Sequence, residues 1–189
     1  MLLTGATAAA PDFVTVAAEH SAALLRYLER QVRDHAVAED LLQETLIRME
    51  HGLGSFEGRS QLRTWAFSIA TRVAIDYLRS PARRVESIDF ENAEEIADDA
   101  AGTDERMVID EMNSCVREVI ATLPADYRAA LVLHELEGLS ARETAEAVGC
   151  TLATAKIRIH RARQCLKAAL TKQCSFYRDV NSVFRCARN

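Results

Sequence analysis

The stretch Ser140-Ala-Arg-Glu-Thr-Ala-Glu-Ala-Val-Gly149-Cys-Thr-Leu-Ala-Thr-Ala-Lys-Ile-Arg-Ile-His-Arg-Ala-Arg163 reads as two helices joined by a tight turn. Ser140 and Glu143 have the spacing of a capping box, in which the serine oxygen accepts from the amide three residues on and the glutamate reaches back to the serine amide. Ala145 is small where the two helices must touch, and four residues later Gly149 supplies the turn. The second helix starts at Thr151 and is expected to run to about Leu170. Within it Ala155, Ile159, Ala162 and Leu166 follow the i, i+4, i+7, i+11 rule and are expected to face a core. At ~100° per residue the opposite face carries Ala153, Ile157, His160, Arg161 and Gln164, with Thr154 and Lys156 on its flanks. Such a face suits a DNA major groove. Arg161 can donate two hydrogen bonds to guanine, Ile157 can meet a thymine methyl, and Lys156, Arg158, Arg163 and Lys167 can take phosphates at the sides. Taken alone, the same pattern also describes a solvated basic helix.

Working outward, Tyr127–Glu137 is apolar on one side through Ala130, Leu131, Leu133 and Leu136, and Met107–Leu123 has helical spacing that breaks at Leu123-Pro124. Toward the N-terminus three further helices are predicted. The first covers Phe13 to about Gln31. The second runs from about Ala36 to His51 and is expected to stop at Gly52, a residue that tolerates the left-handed conformation of a helix end. The third spans Leu62–Arg79 and ends before Pro81, because the residue preceding a proline is pushed out of the α region. Gly52–Ser60, with three glycines and a lone Phe56, reads as a loop, and Trp65 shares a stripe with Ile69 and Val73 and is expected in the core.

The expected fold class is therefore all-α, as two small helical domains at 13–85 and 107–172. A disordered N-terminus (1–12), an acidic linker (86–106) and a cysteine-containing tail (173–189) complete the chain. Apolar residues at 49% and charged residues at 27% are ordinary globular values and argue against general disorder or a fibrous repeat. The net charge of −5 hides a sharp segregation. Residues 86–111 hold eleven acidic and one basic side chains, a net of −10, whereas residues 151–189 hold nine basic and one acidic, a net of +8. Like-charge blocks of this kind mark linkers, tails or charged partners. As a plain tether, the acidic segment would repel itself, stay extended and keep the two domains from sticking together.

No apolar run approaches the ~20 residues of a membrane span, and the start lacks a signal peptide, so no membrane insertion and a cytoplasmic location are expected. Five cysteines, an odd number in such a chain, argue against a disulfide framework. Cys165, Cys174 and Cys186 can in principle supply soft metal ligands or a redox pair, although their spacing matches no tight zinc pattern. A tail packed by Phe176, Tyr177, Val183 and Phe184 is the alternative, and Cys115 and Cys150 are expected to be buried small residues. The five histidines are scattered without paired carboxylates, a nucleophile or a phosphate-cradling glycine loop, so neither an enzyme nor a cofactor is expected.

Several separate stretches, in order, resemble the extracytoplasmic-function (ECF) group of bacterial RNA polymerase sigma factors over residues 13 to about 170. Ala38-Glu-Asp-Leu-Leu-Gln-Glu-Thr-Leu46 resembles the family's region 2.2. Phe56-Glu-Gly-Arg-Ser-Gln-Leu-Arg-Thr-Trp65, Ile69-Ala70 and Ile75-Asp-Tyr-Leu-Arg79 resemble regions 2.3 and 2.4. Leu123-Pro-Ala-Asp-Tyr-Arg128, Gly138-Leu-Ser-Ala-Arg-Glu-Thr-Ala145 and Thr154–Arg163 resemble region 4. The resemblance implies a non-enzymatic subunit that joins core RNA polymerase, at the β′ clamp helices and the β flap, and directs it to promoter DNA. It implies Asp40, Gln43 and Glu44 as core-polymerase contacts, and Phe56, with Arg59, Arg63, Arg72 and Arg79, as −10 element contacts. Phe56 would help form a pocket for a flipped base; a loop aromatic folded onto the core is the alternative. Arg83 and Arg84 would offer further phosphate contacts. The −35 element would fall to Thr154, Lys156, Ile157, Arg158, His160, Arg161 and Arg163. An anti-sigma factor is an expected partner, and the acidic linker would thread toward the polymerase cleft. Arg72 stands where the family often has Asn and Ile157 where Ser is common, so base preference does not carry over. A self-sufficient helix-turn-helix regulator, dimeric on operator DNA, is the rival reading; it leaves Asp40–Glu44 and Gly52–Trp65 without a purpose.

Overall fold

The computed structural model describes residues 12–80, 114–178 and 184–188. Apart from Asp12, the expected disordered start lies outside these residues, as do the acidic linker and Arg83 and Arg84. Helix α1 (Phe13–Val32) begins where the Asp12 carboxylate accepts from the Thr15 amide, and α2 (His35–Leu53) where Asp34 does the same for Val37. Each cap satisfies one of the amides that a helix start leaves without an intrahelical partner. Helix α3 (Leu62–Arg79) stops where Ser80, with ψ of 139°, turns extended ahead of Pro81, as the steric rule requires. The three helices close around Leu24, Leu28, Met49, Phe67 and Tyr27, all 1% exposed or less. Tyr27 meets Phe67 edge-on, centroids 5.4 Å apart, and its hydroxyl pairs with Thr71 at 2.8 Å.

The second unit comprises α4 (Ser114–Thr122), α5 (Ala125–Leu131) running into a π-helical turn (Val132–Leu136), α6 (Ala141–Val148) and α7 (Leu152–Gln173). The expected run to Glu137 is thus not one regular helix. The Glu137 amide bonds to the Val132 carbonyl and the Leu139 amide to that of Leu133, each at 3.0 Å, so the last turn is widened. Both halves of the Ser140–Glu143 capping box are formed, and Gly149 is left-handed at φ 72°, a conformation that costs a side-chain-bearing residue about 1–2 kcal/mol. Ala155, Ile159 and Ala162 are buried on α7 as the periodicity requires, and Leu166 packs half-buried beside them.

The structure departs from expectation at four further places in the fold. Helix α2 runs through Gly52 to Leu53 and ends at Gly54, which is right-handed at φ −63°. Gly52 is needed for proximity instead: an added Cβ would lie 3.1 Å from Cζ2 of Trp65. The tail folds into an antiparallel hairpin of β1 (Cys174–Arg178) and β2 (Phe184–Arg188), so strands follow an otherwise helical fold; Cys174 stands opposite Arg188, and Cys186 opposite Phe176. Cys150 is half-buried rather than buried. Most consequentially, the two units do not stand apart. One contiguous core runs from Val16 and Phe67 to Leu133, Ala147 and Ala162. Buried Arg128 ties them further, its guanidinium donating to the carbonyls of Gln31 at the end of α1, Ala121 (2.7 Å) and Leu123 (2.9 Å). Burial pushes the Arg128 pKa down to about 10, which leaves it cationic at neutral pH.

Candidate nucleic-acid interface

The end of α2 and the start of α3 bring together a cavity of about 400 Å³, lined by Arg48, Gly52, Phe56, Arg59, Trp65 and Arg72 among others. Phe56 is half-buried, held at the loop end by its amide bonding to the Leu53 carbonyl at 3.1 Å, and its ring lies 5.3 Å from that of Trp65 at 48°. Trp65 is therefore not a plain core residue. One side packs on the core and another forms the cavity wall, so a planar guest would find two aromatic rings and three guanidinium groups. Such a combination suits a nucleobase with its phosphate, since stacking is sequence-tolerant and arginine pairs with phosphate oxygens. Arg59 is 85% exposed and its Nε sits 3.0 Å from Glu57, while Arg72 projects from α3 into solvent. Arg48, which sequence reasoning missed, lines the same cavity and bonds Glu44 at 2.7 Å.

Arg63 and Arg79, expected beside these residues, are turned away toward the second unit. The Arg63 guanidinium lies over the Phe67 ring at 5.2 Å and donates to the Glu137 carbonyl at 2.6 Å, and Arg79 pairs with Asp126 at 3.0 Å. Neither lines the cavity.

On α2, Asp40 and Gln43 are exposed and Glu44 is half-buried; Ile47, on the same face four residues after Gln43, is 49% exposed. Ile47 is thus an exposed apolar residue set within a polar face. A protein-binding surface combines those features, an apolar centre with a polar surround.

On α7 the outward face comprises Ala153, Lys156, Ile157, His160 and Arg161, all exposed, with Ile157 at 52%. Leu152, at 39%, adds a second apolar residue at the helix start. Thr154 is half-buried and its hydroxyl pairs with that of Thr151 at 2.8 Å, closing the first turn. Two of the expected phosphate ligands are engaged internally: Arg158 with Asp126 at 3.2 Å and Arg163 with Glu135 at 2.5 Å. Among the described residues no three His, Cys, Asp or Glu side chains gather where they could hold a metal, and burial pushes the Cys165 thiol above its usual pKa, away from the thiolate a metal takes.

Two family models match the chain, Sigma-70 region 2 over residues 16–84 and Sigma-70, region 4 over residues 113–166. The RNA polymerase sigma-H factor of Pseudomonas aeruginosa is 32% identical over 84% of this chain and 85% of its own length. The ECF RNA polymerase sigma-E factor of Escherichia coli K12 is 35% identical over 67% of this chain and 70% of its own. The chain belongs to the ECF group of the sigma-70 family. Among solved structures, the sigma factor RpoE in complex with the anti-sigma factor NepR, from Bartonella quintana, superposes with a TM-score of 0.64 at 29% identity, covering 85% of this chain and 97% of that one. CnrH in complex with the cytosolic domain of CnrY shares the fold at a TM-score of 0.60 and 23% identity, over 85% of this chain and 88% of that one. In this sigma factor no helix among the described residues is long and apolar enough to cross a membrane.

Proposed function

We propose that this ECF sigma factor carries out initiation with three surfaces. The α2 face of Asp40, Gln43, Glu44 and Ile47 docks on core RNA polymerase, the Phe56–Trp65 cavity takes a base of the opened −10 strand, and the outward face of α7 reads the −35 duplex. It acts by binding and carries no reaction of its own. The observation that carries this reading is the cavity: two aromatic rings at 5.3 Å with Arg48, Arg59 and Arg72 around them. A repressor reading only duplex DNA has no use for an open, arginine-rimmed cavity walled by two aromatic rings in its first domain. On α7, exposed Lys156, Ile157, His160 and Arg161 have the mixture of donors and methyl contact that groove reading uses. An anti-sigma protein is a further proposed partner, supported by the likeness to RpoE, which was solved with NepR. The test is reconstitution. Purified chain added to core polymerase should start transcripts from a cognate promoter, and Phe56→Ala should lower open-complex formation about 5- to 100-fold, the equivalent of one stacked base. A chain that binds duplex promoter DNA as a dimer and yields no transcript with core would overturn the proposal.

A further inference from the structure

The seam between the two units is built on two carboxylates, each gripping more than one arginine. Glu137 follows the π-helical turn with its side chain only 5% exposed; its Oε1 lies 2.7 Å from Arg30 of α1, its Oε2 3.7 Å from Arg63 of α3, and its own carbonyl accepts from Arg63 at 2.6 Å. Asp126, in the first turn of α5, takes Arg79 of α3 at 3.0 Å and Arg158 of α7 at 3.2 Å. Three of the four arginines so held are residues that the family resemblance gives to promoter DNA, Arg63 and Arg79 to the −10 element and Arg158 to the −35 element, and this inference rests on that assignment.

We propose that the packed arrangement of the two units is a self-inhibited state, in which Asp126 and Glu137 stand in for DNA phosphates and must release Arg63 and Arg79 across the seam before the chain engages a promoter, while Asp126 also occupies Arg158 within its own unit. The chemistry of the exchange is symmetrical. A guanidinium fork binds a carboxylate or a phosphate with the same donors, so DNA can replace the carboxylates without new groups being made. The seam also suits release. Burying the Glu137 pair takes charge out of water, and the desolvation cancels much of the attraction, so such a pair fixes how the units meet more than it holds them shut. The Asp126–Arg79 pair, with Arg79 65% exposed, is the weak, salt-screened kind.

The test uses the full chain carrying Asp126→Asn and Glu137→Gln, substitutions that keep shape and remove charge. A control variant, Glu19→Gln with Glu39→Gln, removes the same charge at exposed sites away from the seam. Two readouts are taken without polymerase: the radius of gyration by small-angle scattering, and affinity for a short labelled DNA duplex by anisotropy. The seam variant should expand by at least about 2 Å and bind DNA at least threefold more tightly than the control at the same salt. An unchanged radius with affinity equal to the control would overturn the proposal, and so would expansion without any gain in affinity. If Glu137→Gln disturbs folding by circular dichroism, Asp126→Asn alone is carried through the same readouts with the single control Glu19→Gln. The underlying assignment is checked separately, in assembled polymerase: Arg63→Ala with Arg79→Ala should weaken promoter binding there. Normal promoter binding by that variant would remove the assignment, whereas a weakened one beside an unaltered seam variant would refute only the self-inhibition.

Discussion

Substituting Gly52 by Ala should separate stability from function, and the structure gives both signs. Gly52 lies inside α2, where alanine is favoured over glycine by about 0.8–1 kcal/mol. Against this, the new Cβ would lie 3.1 Å from Trp65 Cζ2 and 3.8 Å from Cη2, when carbon pairs prefer about 3.5–4.0 Å. The indole must therefore retreat by roughly half an ångström, and it has somewhere to go, because Trp65 borders the open cavity. A gap of that size forfeits a quarter to a half of each ~0.1–0.2 kcal/mol carbon pair, so about ten pairs against Phe56 and the core lose roughly 0.25–1 kcal/mol. The net is a stability change between about −0.2 and +0.75 kcal/mol, small in either direction. The cavity, however, narrows on its aromatic side. Affinity of the assembled polymerase for a non-template oligonucleotide spanning the melted promoter should fall about 3- to 10-fold, part of the ~1–3 kcal/mol of a stacked base. Trp65 is the single tryptophan of the chain, so its emission reports the movement directly and should shift to the red as the ring enters the cavity. Urea denaturation gives the stability term. A loss of more than about 1 kcal/mol would mean that the indole cannot move, and unchanged emission with unchanged oligonucleotide affinity would mean that it does not line the binding pocket; either outcome refutes the reasoning.

Arg161→Ala should lower −35 affinity by about 1–3 kcal/mol and relax selectivity at one base pair, whereas Lys156→Ala should weaken all sequences alike and reduce the salt slope by about one; a panel of single-substitution promoters distinguishes them. Ser140→Ala should cost about 1 kcal/mol in thermal denaturation, since the hydroxyl accepts from the Glu143 amide at 3.2 Å. Hydrogen bonds from the Ser140 hydroxyl and amide hold the Glu143 carboxyl below its usual pKa, so this contribution is present in full above the unfolded carboxylate range and is lost as pH falls through the depressed folded value. Glu143→Gln should keep the cap but abolish that acid-side loss in a pH series of melting temperatures. Tyr27→Phe removes the partner of the buried Thr71 hydroxyl and should cost about 1–3 kcal/mol in urea denaturation, a cost that Thr71→Val placed alongside should relieve in part.

What the sequence revealed and what it withheld follow from how far each interaction reaches along the chain. The helix-turn-helix was legible because its signals are local. The capping box spans three residues, the left-handed glycine one, and the buried stripe of α7 repeats within two turns. Phe56 was singled out as an aromatic in a glycine loop, yet its companion Trp65 was assigned wholly inward, because periodicity gives the direction of a side chain and not what lies beyond it. Gly52 was read for its backbone freedom when its use is to let α2 approach an indole thirteen residues on, a contact that no turn rule encodes. Least legible were the partners of the arginines. Arg63 meets Glu137 across 74 residues and Arg79 meets Asp126 across 47, so the resemblance offered these cations to DNA when the fold engages them. The hint in the sequence was incomplete: Glu135 and Glu137 both follow the apolar run Ala129–Leu133, and nothing local says which of them is buried, where a charge is costly unless paired. The partners of Glu137, Arg30 and Arg63, both come from the other unit, a contact that a self-repelling linker argues against. The linker's charge acts on its own extension and is screened beyond about 8–10 Å, whereas the seam buries an apolar surface and closes around Arg128. At the range that decides packing, short-range burial outweighs repulsion along the tether.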